Sequence, residues 1–189
     1  MREMIEQVLL DEKQIAERIS DMGKKISQDY QGKDLLLIGV LKGAFIFLAD
    51  LVRAIDLPIA LDFVAVSSYG FSTETTGVVR IIKDVDYPVT GKHVLLIEDI
   101  VDSGLTLRYL AQVLAEQKPA SLRICALLDK PERRKVSLDV DYVGFSIPNE
   151  FVVGYGLDYN GQYRNLPFVG ALKHSIYSKT EAWSAIMIG

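Results

Sequence analysis

Three carboxylates and a small-residue turn crowd one short stretch of the chain, Glu98-Asp99-Ile100-Val101-Asp102-Ser103-Gly104-Leu105-Thr106. Two adjacent acids can hold sugar hydroxyls or a bridging cation, and a third acid close by can accept a proton. Asp102, Ser103 and Gly104 can turn the chain and cap a helix beginning near Gly104, since Leu107-Arg108-Tyr109-Leu110 is helix-like. First-turn amides lack partners inside a helix and sit at the positive end of its dipole, so such a turn seats an anion such as phosphate. Taken singly, Asp102 would serve more often as a helix cap than as a catalyst. Glu98 and Asp99 would pass for solvated loop charges. Placed directly after a buried strand, though, these two successive acids are expected near the sheet edge, where they can face a ligand. The chain has no Gly-x-x-x-x-Gly-Lys-Ser/Thr pattern, which excludes a nucleoside-triphosphate P-loop.

The elements that must position these groups follow from the apolar pattern. Val94 to Ile97 is a continuous apolar run, expected of a strand buried on both faces of a parallel sheet. Open sheets of this kind bind ligands at the carboxyl ends of their strands. Leu35 to Val40 repeats the pattern, leads through Leu41-Lys42-Gly43, and gives way to an apolar helix over 44–55. Ile15, Ile19, Met22 and Ile26 form one stripe of a helix spanning 11–30. Strands are expected over 58–68, 78–83 and 122–128, with shorter ones over 142–145, 152–155 and 168–172, and a helix over 105–117. The stretch 69–77, rich in Gly, Ser and Thr, has the composition of a mobile loop. Asp129-Lys130-Pro131 breaks a strand on the expected ligand side. The alternation of strands and helices predicts an α/β fold with a mostly parallel central sheet flanked by helices.

Bulk properties narrow the function classes. A chain of 189 residues, 49% hydrophobic and 24% charged, has the make-up of a one-domain globular protein that folds without disulfides. The net charge of −4 argues against a broad nucleic-acid surface. Cys125 is alone and sits in an apolar run, so a buried reduced thiol is expected. The charged start, Met1 to Glu6, lacks a signal-peptide core, and no apolar run approaches the ~18 residues of a membrane span. A cytoplasmic protein with no membrane contact is the expectation.

Ile97 to Thr106 resembles the phosphoribosyl-pyrophosphate (PRPP) binding motif of type I phosphoribosyltransferases, most closely that of the hypoxanthine-guanine members. Further matches fall in family order over roughly residues 34 to 172. Lys42-Gly43 resembles the pyrophosphate loop, where a cis peptide precedes the lysine. Ser68-Tyr69 and the loop after them resemble the flexible lid. Lys130 resembles the purine-reading lysine, and Phe151-Val152 the pair that stacks on the base and accepts from its edge. Asp158 and Arg164 match an aspartate that meets magnesium through water and an arginine that grips pyrophosphate. Taken without the resemblance, Lys42 and Lys130 read as surface lysines and Phe151 as core; Tyr155, Tyr159 and Tyr163 read as packing, and neither histidine has a role. Leu105 departs from relatives that carry a lysine there, which leaves more of the phosphate to the loop amides and Thr106.

The resemblance implies one phosphoribosyltransferase domain over 1–189, with a core near 34–145 and a small hood subdomain from about 1–30 and 146–189. It implies purine salvage, in which PRPP and a 6-oxopurine become pyrophosphate and a purine nucleotide. Asp102 would be the general base. Glu98, Asp99, Ser103, Gly104, Leu105, Thr106, Lys42, Gly43 and Arg164 would bind PRPP. Glu98, Asp99 and Asp158 would serve Mg²⁺, and a homo-oligomer, dimer or tetramer, would be the working form. Lys130 favours a 6-oxo group because an ammonium only donates hydrogen bonds, so the amino group of adenine would leave donor against donor. The resemblance implies transfer to N9 of hypoxanthine and guanine, with a xanthine- or guanine-preferring enzyme as the alternative, since Lys130 does not rank the 6-oxopurines. A PRPP-sensing regulator that binds nucleic acid is the alternative from another class.

Overall fold

The computed structural model describes residues 1–69 and 78–177. Among these the chain forms two sheets. The larger has six strands: β2 (Leu35–Leu41), β3 (Ile59–Tyr69), β4 (Val78–Lys83), β5 (His93–Val101), β6 (Ser121–Asp129) and β7 (Tyr142–Ser146). Their order is β4-β3-β2-β5-β6-β7, parallel throughout except for β4, which runs antiparallel along β3. All five parallel strands therefore end at one edge.

The apolar runs are explained by two-sided burial. Leu35, Leu37, Leu95, Ile97, Cys125 and Leu127 face one cluster with the helices α1 (Glu12–Asp29) and α2 (Phe45–Ala54). Leu36, Ile38, Leu96, Ile124 and Ala126 face the other, against Leu107, Leu110 and Leu114 of α3 (Leu105–Glu116). Alternate residues take opposite faces, so both sets must be apolar. The expected stripe of α1 is the face it buries, and Asp11 starts that helix with a capping box to Gln14. Cys125 is a buried free thiol. Among the described residues no helix is long and apolar enough to cross a membrane.

The smaller sheet is antiparallel in the order β1-β9-β8, from β1 (Ile5–Leu10), β8 (Val152–Val153) and β9 (Val169–Leu172). Of the expected hood segment 1–30, β1 joins this sheet, while α1 packs on α2. Strand β1 gives no local signal because five of its six residues lack full burial and its partner lies some 160 residues away. Two further expectations need correcting. The strand leading to the acids does not stop at Ile97 but carries Glu98 and Asp99 on to Val101, because β6 supplies ladder partners as far as Asp129. Helix α3 has Gly104 at its cap position in the left-handed conformation (φ +80), so Asp102, which taken singly reads as a helix cap, does not do that work.

Candidate active site

The carboxyl edge of the large sheet gathers the chemistry. Strand β5 delivers Glu98 and Asp99 inside the ladder, and its continuation delivers Asp102, Ser103 and Gly104 into α3. Asp99 is buried and Glu98 half-buried. Burial pushes the Glu98 carboxyl well above its ordinary range, and the Asp99 charge beside it pushes the same way. Burial also raises Asp99, although the contact with Glu98, the Ile100 amide at 2.8 Å and the nearby charge of Arg164 offset part of that. Two acids this close do not both stay ionised without a counter-charge or a donor from a ligand. Within the protein, Glu98 accepts from the Asp99 amide at 3.2 Å and Asp99 from the Ile100 amide at 2.8 Å, with the charge of Arg164 nearby.

The Leu41–Lys42 peptide is cis, as the resemblance implies, and Gly43 lies against the Asp99 carboxylate. A Cβ on Gly43 would overlap that carboxylate, and a Cβ on Gly156 would overlap the Gly43 carbonyl. Only bare backbone lets the three segments meet. Arg164 joins them there: its Nη1 donates to the Gly156 carbonyl at 2.5 Å, and its Nη2 pairs with Asp158 at 2.6 Å. Lys42, Gly43, Asp99, Asp158 and Arg164 are thus one neighbourhood, although they come from three parts of the sequence.

Asp102 lies further along the same edge, half-exposed, and accepts from Arg133 Nε at 2.6 Å. Arg134 pairs with Asp129, donates to the Asp102 carbonyl at 3.3 Å and packs its Cδ beside Gly104. The Lys135 amide donates to the Ser103 carbonyl at 3.0 Å. The segment after β6 therefore folds over the turn that opens α3, and sequence reasoning missed it. The basic run Arg133-Arg134-Lys135, set just past a strand end, was the signal that could have found it. At the turn itself, the Leu105 amide donates to Ser103 Oγ at 3.4 Å, while the remaining first-turn amides have no carbonyl within the helix to bond.

Lys130 is 7% exposed, held by its amide to the Val101 carbonyl at 3.0 Å and by Nζ to the Glu150 carbonyl at 2.6 Å. Burial lowers its amine, with the charge of Asp102 acting the other way. It is no surface lysine, and it links the large-sheet edge to the residue before Phe151. Phe151 is not core: it is 39% exposed, while Val152 is buried in β8. Ser68 and Tyr69 end β3 at this same edge, paired with Val79 and Val78 of β4; the lid loop expected after them lies outside the described residues. Tyr155 is buried and donates to Asp50, and Tyr159 and Tyr163 pack on the small-sheet cluster, in keeping with a packing role. His93 starts β5, with Nδ1 2.8 Å from Ser121 Oγ.

Among the described residues no three His, Cys, Asp or Glu side chains converge as a metal cage. The oxygen donors here suit instead a hard cation that keeps waters and is shared with a phosphorylated ligand.

Comparison with known proteins agrees with this arrangement. The phosphoribosyl transferase domain model matches residues 7–160. A hypoxanthine-guanine phosphoribosyltransferase of Mycobacterium avium is 52% identical over 181 residues, covering 93% of this chain and 89% of its own. One from Bacillus subtilis is 50% identical over 177 residues, covering 94% and 98%. The crystal structure of a hypoxanthine phosphoribosyltransferase from Staphylococcus aureus superposes with a TM-score of 0.91 at 47% identity, over 94% of this chain and 96% of that one.

Proposed function

We propose, since this chain belongs to the phosphoribosyl transferase family, that it is a hypoxanthine-guanine phosphoribosyltransferase of purine salvage. It transfers the 5-phosphoribosyl group of PRPP to N9 of hypoxanthine or guanine, giving IMP or GMP and pyrophosphate. The observation that carries the reading is the run from Glu98 to Thr106, which sets two acids, a third acid and a helix-opening turn on one sheet edge, with Lys130 and Phe151 beside them.

In this reaction the C1′–O bond to pyrophosphate breaks, the C1′–N9 bond forms with inversion, and the purine loses its N7 proton. The sugar carbon gains positive character on the way, as in glycoside chemistry. The turn from Ser103 to Thr106 seats the 5′-phosphate, and Glu98 and Asp99 grip the ribose hydroxyls beside the developing charge. Arg164 and the Lys42-Gly43 loop take the pyrophosphate, for which a guanidinium fork is suited. Asp102 accepts the N7 proton. It must leave Arg133 to do so, and a half-exposed ion pair of this kind is worth only about 0.2–1 kcal/mol, so the exchange is easy. Glu98, Asp99 and Asp158 would hold Mg²⁺ together with PRPP, where its charge offsets that building on pyrophosphate. Lys130 donates to the 6-oxo group, Phe151 stacks on the base, and the Val152 carbonyl accepts from its edge. Ser68 and Tyr69 would anchor the lid. The proposal includes a dimer or tetramer acting in the cytoplasm, the former read by light scattering.

The test is a panel of hypoxanthine, guanine, xanthine and adenine, each with PRPP and Mg²⁺. Turnover of hypoxanthine and guanine is expected. Turnover of adenine alone would defeat the Lys130 reading.

A further inference from the structure

We propose that Tyr177, which lies beyond every motif described above, is a positioning residue for the purine: it backs the Phe151 ring and holds the opposite face square to the base. The inference rests on the function just proposed. A phenylalanine just before a short strand, with over a third of its surface open, has little core to fix its rotamer. Stacking on a base needs that rotamer fixed beforehand, or binding must bear the cost of ordering it.

Other rings do the fixing. Tyr177 stacks on Phe151 with centroids 5.1 Å apart and planes at 23°, and Tyr159 meets it edge-on at 5.6 Å and 89°. His174 meets Tyr177 edge-on at 4.9 Å. The Tyr159 hydroxyl donates to the Ile176 carbonyl at 3.2 Å, which ties one supporting ring to the turn carrying the other. Tyr177 also packs on the cluster of Val153, Leu166, Phe168 and Leu172, so its place is set by the small sheet. The order of support runs from that cluster through Tyr177 to Phe151 and then to the base.

A rival geometry has Tyr177 occupying the base's own seat and leaving when the base arrives. Two observations speak against it. Phe151 stays 39% exposed with both tyrosines in contact, so surface remains for a ligand. Withdrawing Tyr177 would also uncover the apolar cluster beneath it.

The experiment is steady-state kinetics with hypoxanthine and PRPP on the wild type, Tyr177→Leu, Tyr177→Phe, Phe151→Leu and the Phe151→Leu/Tyr177→Leu double variant, with thermal midpoints alongside. Leucine keeps apolar bulk but loses the stack. Its KM for hypoxanthine is expected to rise about 3- to 10-fold, the worth of one aromatic pair, with kcat and the KM for PRPP within about twofold. Tyr177→Phe should match the wild type. In the Phe151→Leu background Tyr177→Leu should add nothing, because its effect passes through that ring. An unchanged hypoxanthine KM in Tyr177→Leu overturns the inference, and a lowered one establishes the rival seat. Should Tyr177→Leu not fold, Tyr177→Ile takes its place with the same criteria. A wild type that turns over no 6-oxopurine defeats the proposed function itself, whereas an active wild type with indifferent variants defeats only the role of Tyr177.

Discussion

The two sheets contribute to one site in different ways. The large sheet offers polar groups whose positions are fixed by ladder register: Glu98 opposite Ala126, Val101 opposite Asp129, and Lys130 bonded back to Val101. The small sheet offers an aromatic surface and a backbone edge, assembled from strands near residues 5, 152 and 170. In the proposed reaction one region would stabilise charge at a fixed point and the other would recognise a flat ring. The difference teaches that bond-making and base choice can be altered separately, and four perturbations test that separation.

The largest effect is expected at Asp102. Asp102→Asn should lower kcat by about 10²–10⁴-fold, the usual worth of a general base, for hypoxanthine and guanine alike and with both KM values nearly unchanged. A loss confined to one base would move Asp102 out of the chemistry and into recognition. Lys130 spans the two regions through the Glu150 carbonyl. Lys130→Ala should cut kcat/KM for hypoxanthine by about 10- to 100-fold, since a buried acceptor is left unpaired, and should shrink the preference over adenine. Phe151→Leu belongs to the small sheet alone. It should raise the base KM by about 3- to 10-fold, in line with the loss of a stacked pair, and leave the PRPP KM in place. The competition between PRPP and pyrophosphate would expose any leakage between the regions.

The smallest effect concerns the scaffold. Asp62 is buried in β3, and burial alone would raise its carboxyl. The amides of Tyr87, Phe63 and Asp86 and the charge of Lys83 more than offset this and hold it below the ordinary carboxylate value. A carboxylate depressed in the folded state adds stability that is present above its unfolded pKa and is lost as pH falls through the folded one. The thermal midpoint should therefore fall below about pH 4. Asp62→Asn should flatten that acid limb while leaving neutral-pH kinetics intact, and a change in kinetics would show the scaffold and the site to be coupled.

The large sheet was legible because its strands are apolar on both faces, a signal that needs no knowledge of partners. Its acids were found from adjacency along the chain, and so was the phosphate turn. Strand β1 was not, since Ile5 to Leu10 becomes a strand only through a partner some 160 residues away. Arg133 was passed over because its meaning comes from Asp102, 31 residues earlier, and not from its own neighbours. Lys130 and Phe151 were identified through the family resemblance; composition alone placed one on the surface and the other in the core, the reverse of what burial shows. Of Asp102, Ser103 and Gly104, all expected at the start of α3, the glycine takes the cap position because the chain turns there through a left-handed conformation.

The pairing of Leu10 with Val169 also sets a timetable for the molecule as it is made. At about 5–20 residues per second, the strand at residues 5–10 waits roughly 8–32 s before its neighbour exists, long after β2, β5 and β6 have emerged. A ribosome-bound chain can thus complete β2, β5 and β6, with the run from Glu98 to Thr106 and Lys130, while β1 still lacks its partner. The small sheet is the last part of the fold to close.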